Sequence, residues 1–464
     1  MPAVALSIAI VAISIPCSAV AAQASGEWAQ YANAADAGFS VAELDDARKY
    51  ADSVRSAAVM VVHRGRVVVA WGDVNRKFGL HSVRKSLVSG LYGTAVADGK
   101  IDLDATLGKL GITDRQPLTD AEKSAKVRHL LLARSGVFLP AAYAPADQDA
   151  ERPARGTHPP GAHWFYNNWD FNVAGVIYER LTGENLYESF LRRIARPIGM
   201  QDYAVSDGLI VLEPSLSSHP AHTFRMSTRD LARFGQLYLQ KGKWNGRQII
   251  PEKWIAESTT SPADVVPGQG YAYMWWTYSV GGARSNYPLL KQRAFYQARG
   301  TGGQIMFVIP DQELVIVLRG DTDNNRNVGG NATWTIAERI LAAKKSEPVA
   351  QPRLVALSPV VFQSQVPAPA EPQIISLRRE DLEKYVGEYT IGPNAIARVT
   401  IHEEKLFMFF PGQGEGQLYA TSPNEFTVRV VSGVKVTFDR DAQGASTGVT
   451  VKLGNQTMKG PKTK

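Results

Sequence analysis

The stretch HSVRKSLVSGLYGTAVADG, residues 81–99, predicts a central helix with a hydroxyl at its start. Ser82 suits the N-cap or the first turn of this helix, and Gly99 suits its C-terminal end. The apolar residues that recur at helical spacing, and so indicate a buried face, are Val83, Leu87, Val88, Leu91, Ala95 and Val96.

Ser82 and Lys85 are three residues apart, so a helix places the hydroxyl and the amine on the same side. A serine becomes a good nucleophile when a neighbour takes its proton, and a lysine can do so when burial or nearby positive charge lowers its pKa. Free backbone N–H groups at the helix N-terminus also suit an oxyanion. The alternative is an N-cap serine beside a lysine that extends to solvent.

The S-x-x-K spacing alone is weak evidence, because it recurs at Ser432 and Lys435. That second copy lies in a strand-like segment, where residues three apart lie on opposite faces. The hydroxyl and the amine can therefore meet in the first copy, at Ser82 and Lys85, but not in the second.

Composition bounds the class of protein. The chain has 464 residues, more than one hydrophobic core usually supports, so we expect two domains. The formal net charge of +7 is spread along the sequence without a basic block, and no nucleic-acid partner is expected.

Residues 1–24 form an apolar run followed by small residues, which predicts a secretory signal peptide. No Lys or Arg precedes the run, so an uncleaved anchor is the alternative. Cys17, the only cysteine, lies in this segment, and cleavage would leave no thiol for catalysis, a disulfide or a metal site. We expect a secreted, periplasmic protein with no membrane span after cleavage.

Patterns along the rest of the chain predict two folded units. Residues 57–71 have the alternation of a β-hairpin, and three strand-like runs in residues 293–318 indicate an antiparallel meander. With helical segments between them, residues 27–344 predict an α+β domain, an antiparallel sheet flanked by helices. Residues 345–374 are rich in proline and predict a linker. Residues 375–464 predict a small all-β barrel.

Two further motifs accompany the serine and the lysine. Tyr166-Asn167-Asn168 lies on a loop that enters a helix, and Gly300-Thr301-Gly302-Gly303 lies just before a strand. Together they resemble the serine β-lactamase and penicillin-binding-protein superfamily, with a β-lactamase/transpeptidase-like fold. The match is closest to class C β-lactamase-related hydrolases, which include esterases, D-amino-acid peptidases and 6-aminohexanoate-dimer hydrolases. Separately, LEKYVGEY at residues 382–389 resembles the start of a lipocalin-like domain.

The resemblance implies a serine hydrolase and a role for each matching residue. Ser82 would be the acylated nucleophile, Lys85 its proton acceptor or the charge that keeps a partner base ionised, and Tyr166 the proton shuttle to the leaving group. Backbone N–H groups of Ser82 and Gly303 would form the oxyanion hole. No metal or cofactor is implied, and the choice of base stays open. The substrate-binding residues would be Asn168, which holds an amide, and Gly300, Thr301 and Gly302.

The sequence departs from the family pattern at Gly300, where the third motif normally opens with Lys or His. In members that recognise β-lactams, that cation helps to bind the drug carboxylate. Arg299 precedes Gly300, but neighbouring residues of a strand point to opposite faces, so we expect its side chain to point away. The sequence therefore favours an ester or small amide as substrate.

Alternatives stay open beside this interpretation. The same fold could act as a β-lactamase or a D-amino-acid peptidase on peptidoglycan peptides, or as a catalytically silent binding protein. Zinc ligation by His219 and His222 is disfavoured by the proline between them. Arg84 is expected to be solvated or ion-paired. The substrate, the oligomeric state and the role of the barrel are not determined by the sequence.

Overall fold

The computed structural model describes residues 27–145, 148, 150–367, 373–392, 395–402, 404–410, 414–428, 434–453 and 456–464. The predicted signal peptide, Cys17 and Ser432 lie outside the described residues. Within the described part, no helix combines the length and the apolar composition that a membrane span requires.

A large sheet flanked by helices, with two smaller sheets beside it, forms the first part of the chain. The strands of this part, β1 to β15 in order, are Ala29–Tyr31, Ala58–His63, Arg66–Gly72, Lys77–Gly79, Gly208–Val211, Ala221–Ser227, Lys243–Trp244, Arg247–Gln248, Asp264–Val266, Gln269–Ala272, Trp275–Tyr278, Phe295–Gly300, Gln304–Ile309, Leu314–Arg319 and Leu354–Ala356. Its α-helices, α1 to α10 in order, are Val41–Ser53, Arg84–Ala97, Asp120–Lys123, Val127–Leu131, Asn168–Thr182, Leu186–Phe190, Thr228–Leu239, Glu252–Ser258, Pro288–Lys291 and Gly330–Ala343.

Ten strands form one sheet, in the order β15-β1-β3-β2-β14-β13-β12-β11-β10-β9. The predicted hairpin is β2 and β3, and the predicted meander is β12, β13 and β14, each antiparallel to the next. β13 and β14 are buried throughout, as expected for apolar strands covered on both faces. β1 pairs in parallel with β3, through Gln30 and Val67, so the sheet is mixed. The predicted α+β class is confirmed, with this parallel pair as the difference.

Part of the proline-rich stretch packs on the sheet. β15 pairs antiparallel with β1 and is itself the edge strand on that side of the sheet. Farther along, Val360 forms a bridge with Trp71, and Phe362 is buried. The chain therefore adds a strand to the sheet and packs on it before it reaches the barrel.

Helix α2 lies at the centre of the first part. A 3-10 turn, His81–Val83, precedes it, and the α-helix proper begins at Arg84. The sequence pattern predicted one buried face, but every residue from Arg84 to Ala95 is buried. Two of its polar side chains donate to backbone carbonyls of other segments: Tyr92 to Ala174 at 2.7 Å and Ser86 to Met274 at 2.9 Å. The helix is thus fixed on all sides, and so is the turn at its start.

The C-terminal part is an eight-stranded antiparallel barrel, in which each strand pairs with the next. The first and last strands also meet, through a bridge between Tyr389 and Lys462, so the barrel is nearly closed, as predicted. One backbone hydrogen bond, from Glu415 to the carbonyl of Leu212, joins it to the first part at 2.7 Å. The barrel comprises helix α11 (Arg379–Glu383) and strands β16 to β23, which are Gly387–Gly392, Ala395–His402, Lys405–Phe410, Gly414–Ala420, Glu425–Val428, Val434–Arg440, Ser446–Leu453 and Gln456–Pro461.

Candidate active site

The structure brings Ser82, Lys85 and Tyr166 into one hydrogen-bonded group. Lys85 Nζ lies 2.8 Å from Ser82 Oγ and 2.9 Å from the hydroxyl oxygen of Tyr166. Ser82 is partly exposed on the 3-10 turn, whereas Lys85 is only 1% exposed on α2. Ser82 is therefore accessible from solvent, while the amine beside it is shielded from water.

Lys85 is in an environment that disfavours its charged form. Its amine lies 4.5 Å from the ring centre of Tyr166 and 4.7 Å from that of Phe171. Burial, and after it the charge of Arg84, hold the pKa of Lys85 well below its usual range. Burial raises the pKa of Tyr166. Both shifts favour the uncharged forms of the two groups, the amine of Lys85 and the phenol of Tyr166.

The third motif lies against the turn that carries Ser82. β12 ends at Gly300, and Thr301–Gly303 form a 3-10 turn in which Gly302 and Gly303 have φ of +77° and +88°. A Cβ at Gly300 would lie 2.6 Å from the carbonyl oxygen of Leu80 and 2.8 Å from the amide nitrogen of Ser82. This close approach explains the departure from the family pattern, because a Lys or His has no room there.

Asn168 lies at the start of α5 and is buried. Its Nδ2 donates to the carbonyl oxygen of Tyr143 at 2.8 Å, and its Oδ1 is buried without a hydrogen-bond partner among the described residues. The predicted contact with a substrate amide thus competes with a contact to the loop that carries Tyr143.

Two cations differ from the sequence expectation. The guanidinium of Arg299, expected to point away from the site, lies 3.6 Å from the ring centre of Trp276. That ring stacks on Tyr166, with centres 5.5 Å apart, so Arg299 stays close to the site instead of leaving it. The expectation for Arg84 was also wrong. It is 2% exposed, and its Nε and Nη2 have no hydrogen-bond partner in the part of the chain described.

His81 and Tyr143 also lie at the site, although no sequence motif pointed to either residue. His81 Nδ1 lies 3.0 Å from the hydroxyl oxygen of Tyr143, and its Nε2 lies 3.0 Å from Thr322 Oγ1. Burial lowers the pKa of His81 to about 4, so the ring is neutral near pH 7. Its φ of +47°, unusual for a residue with a Cβ, sets the direction of the chain just before Ser82. These partners are distant in sequence, so no local pattern signals them.

The two histidines considered as zinc ligands have separate partners. His219 Nε2 lies 2.7 Å from the carbonyl oxygen of Thr113, and His222 Nε2 lies 3.2 Å from Glu179 Oε2. Both rings are buried and link neighbouring segments of the fold. A structural role accounts for them.

Comparisons with known proteins agree with this architecture. The sequence model of the beta-lactamase family matches residues 41–335, which is more than half of the chain, and the chain belongs to that family. Fold and family together define a β-lactamase-fold hydrolase of the serine hydrolase type. Residues 372–462 match a domain of unknown function (DUF3471).

One relative and two solved structures show what this chain is similar to. An uncharacterized protein of Alkalihalophilus pseudofirmus is 22% identical over 293 residues, which cover 56% of this chain and 82% of that protein. A putative 6-aminohexanoate-dimer hydrolase from Bacillus anthracis is 20% identical, with a TM-score of 0.50 over 65% of this chain and 83% of its own. The crystal structure of SurE is 18% identical, with a TM-score of 0.48 over 90% of this chain and 98% of its own. At 20% identity, the likeness to the putative 6-aminohexanoate-dimer hydrolase shows the fold alone.

Proposed function

We propose that the protein hydrolyses an ester or a small amide through an acyl-enzyme on Ser82. The observation that carries this proposal is the position of Lys85 Nζ, within 3 Å of both Ser82 Oγ and the Tyr166 hydroxyl. A buried amine held between a partly exposed serine and a tyrosine has the arrangement that a nucleophile and its base require.

The reaction proceeds in two halves. The neutral amine of Lys85 accepts the proton of Ser82 as Oγ bonds to the substrate carbonyl carbon. The resulting oxyanion lies toward the backbone N–H groups of Ser82 and Gly303. The intermediate collapses as the leaving group takes a proton from Tyr166, which Lys85 replaces. A water molecule then releases the acid by the reverse sequence of proton transfers.

A second candidate, a β-lactamase or a D-amino-acid peptidase, gains support from Arg299. Its guanidinium, stacked on Trp276 near Tyr166, is a cation that a substrate carboxylate could approach. The lack of a Lys or His at position 300 argues against this second candidate, because that cation would help to bind the substrate carboxylate. A catalytically silent binding protein is the third candidate, and the close contact of Ser82 with Lys85 weighs against it.

Turnover measurements separate these candidates. We expect p-nitrophenyl acetate and butyrate, and a small anilide, to be hydrolysed by the wild type but not by Ser82→Ala. Benzylpenicillin and a D-Ala-D-Ala peptide should react more slowly. Preferred cleavage of either of these two compounds would favour the second candidate. Equal background rates for wild type and Ser82→Ala on every compound would contradict the proposal.

We also propose that the substrate is a small molecule and that the protein acts outside the cytoplasm. The apolar segment over residues 1–24 and the lack of cysteine after Cys17 support export. N-terminal sequencing of the protein recovered from periplasmic and cytoplasmic fractions tests this. A mature N-terminus close to residue 25 in the periplasmic fraction is expected, and an intact N-terminus confined to the cytoplasm would contradict it.

A further inference from the structure

Arg84 is a buried guanidinium next to the proposed base. It is the first residue of α2, and Lys85 follows it directly. Only 2% of Arg84 is exposed, and its Nε and Nη2 are buried without a hydrogen-bond partner among the residues described. A buried charge in proteins is normally paired, because an unpaired one loses its hydration without compensation. The cost of this arrangement calls for a functional explanation.

Aromatic residues surround the guanidinium, and an ionised acid does not face it among the described residues. Its Cζ lies 5.8 Å from the ring centre of Tyr143, on the loop that covers this end of the helix. The other groups that act on its charge are the phenols of Tyr166, Tyr187 and Tyr271. Burial raises the pKa of Asp170, the buried acid of α5, well above its usual range, and its carboxyl oxygens accept hydrogen bonds from Ser135 and Asn167. No carboxylate in the described part of the chain therefore forms an ion pair with the Arg84 guanidinium.

We propose that the unpaired charge of Arg84 holds the adjacent Lys85 amine in its neutral, proton-accepting form. This inference rests on the proposed function of Ser82 and Lys85, and it assigns Arg84 a role that acts through Lys85 without contact with substrate. Two neighbouring cations repel strongly in a poorly hydrated interior. Arginine keeps its proton under conditions in which lysine gives its proton up, so the lysine is the partner that becomes neutral.

The same arrangement accounts for the state of the site after proton transfer. Once Lys85 has taken the Ser82 proton, its ammonium lies beside Arg84 and is disfavoured. The proton is then driven on to the Tyr166 oxygen, which is 2.9 Å from Lys85 Nζ, as Tyr166 gives its own proton to the leaving group. Arg84 would thus oppose a stable ammonium both before and after attack. Arg299, over Trp276, adds a second positive charge near Tyr166.

The test is the pH dependence of Ser82 labelling, which requires no knowledge of the substrate. The second-order rate constant for reaction with a fluorophosphonate is measured from about pH 5 to 10, with reagent hydrolysis followed in parallel. The proteins compared are full-length wild type, Arg84→Gln and Arg84→Lys. Arg84→Met, which keeps an unbranched apolar stem, is a second neutral variant in case glutamine disturbs packing. Circular dichroism checks folding.

In Arg84→Gln and Arg84→Met we expect the acidic inflection of the pH–rate profile to move up by about one pH unit or more. One pH unit corresponds to a tenfold change in the neutral fraction of Lys85. Labelling below the wild-type inflection should slow about tenfold, while the alkaline plateau stays within about twofold. Arg84→Lys should return the inflection toward the wild-type value.

Two results would overturn the inference on Arg84. One is a uniform loss of rate in the neutral variants without a shift of the inflection, which indicates a structural role. The other is an inflection above about pH 9 in the wild-type profile, close to the pKa of an ordinary lysine. This second result can be interpreted from the wild type alone. A folded wild type that is not labelled on Ser82 at any pH would instead contradict the proposed function itself.

Discussion

Replacing Gly300 by alanine should damage acylation far more than it damages folding. Gly300 has φ of −143°, an extended conformation that alanine adopts freely, so the substitution adds a methyl group without backbone strain. The added Cβ would lie 2.6 Å from the carbonyl oxygen of Leu80 and 2.8 Å from the amide nitrogen of Ser82. Both are backbone atoms, so a side-chain rotation cannot relieve the clash.

The size of the effect follows from these distances. An ordinary contact distance of 3.4 Å requires the backbone to move by about 0.8 Å at Leu80 and about 0.6 Å at Ser82. Such a shift moves the nucleophile relative to Lys85 and to the third motif, and a 1 Å misplacement of reacting groups can cost about 10²-fold in rate. We therefore expect labelling by a fluorophosphonate to slow about 10- to 100-fold. The loss of folding free energy should be about 1–3 kcal/mol, as for overpacked sites.

The assay compares labelling rates and thermal unfolding of wild type, Gly300→Ala and Gly330→Ala. Gly330, the first residue of α10, is the matched control, because a Cβ there would meet nothing within 4 Å. The control should label at the wild-type rate. If Gly300→Ala is folded at the assay temperature and labels as fast as wild type, the close approach of β12 to the Ser82 turn has no catalytic importance, and the reasoning is refuted.

Three further predictions follow from the same geometry and charges. Tyr166→Phe should lower the turnover of an ester by about 10²- to 10⁴-fold with little change in KM, since it removes a proton carrier and keeps the ring; a fivefold loss or less would contradict this role. Lys85→Met should abolish turnover yet raise Tm, because burial disfavours the ammonium in the folded state and the unfolded state binds that proton more readily below pH 10.5; a lower Tm would contradict it. Buried His63 has a folded pKa of about 4 against 6.5 when unfolded, so its stabilising contribution is present above pH 6.5 and is lost as pH falls toward 4. His63→Leu should flatten this part of the unfolding free-energy profile in urea titrations, and an unchanged profile would count against it.

Local patterns predicted the elements whose geometry is set by short-range rules. Ser82 and Lys85 meet because residues three apart share a side of a helical turn, whatever the rest of the chain does. The meander of β12 to β14 was predictable because period-two alternation and turn residues specify neighbouring antiparallel strands. Both features need only a dozen or so residues of context.

Features that depend on distant packing were not predictable. Arg84 is buried in a place where Tyr143, far along the chain, lies 5.8 Å from its guanidinium. The alternation of side chains along a strand is not enough to place Arg299. Its guanidinium lies on the ring of Trp276, and that ring stacks on Tyr166, so Arg299 stays near the site. The parallel pairing of β1 likewise depends on a register that no turn residue specifies. In each case the missing information is which remote segment covers the residue.

The central claim, that Ser82 is the acylated nucleophile, is tested most directly by intact-mass spectrometry after incubation with a fluorophosphonate. The matched control is Ser432→Ala, which removes the serine of the second S-x-x-K sequence. We predict one adduct on wild type and on Ser432→Ala, mapped by peptide digestion to Ser82, and none on Ser82→Ala. An adduct that persists on Ser82→Ala, or a folded wild type that never acquires one, would contradict the claim.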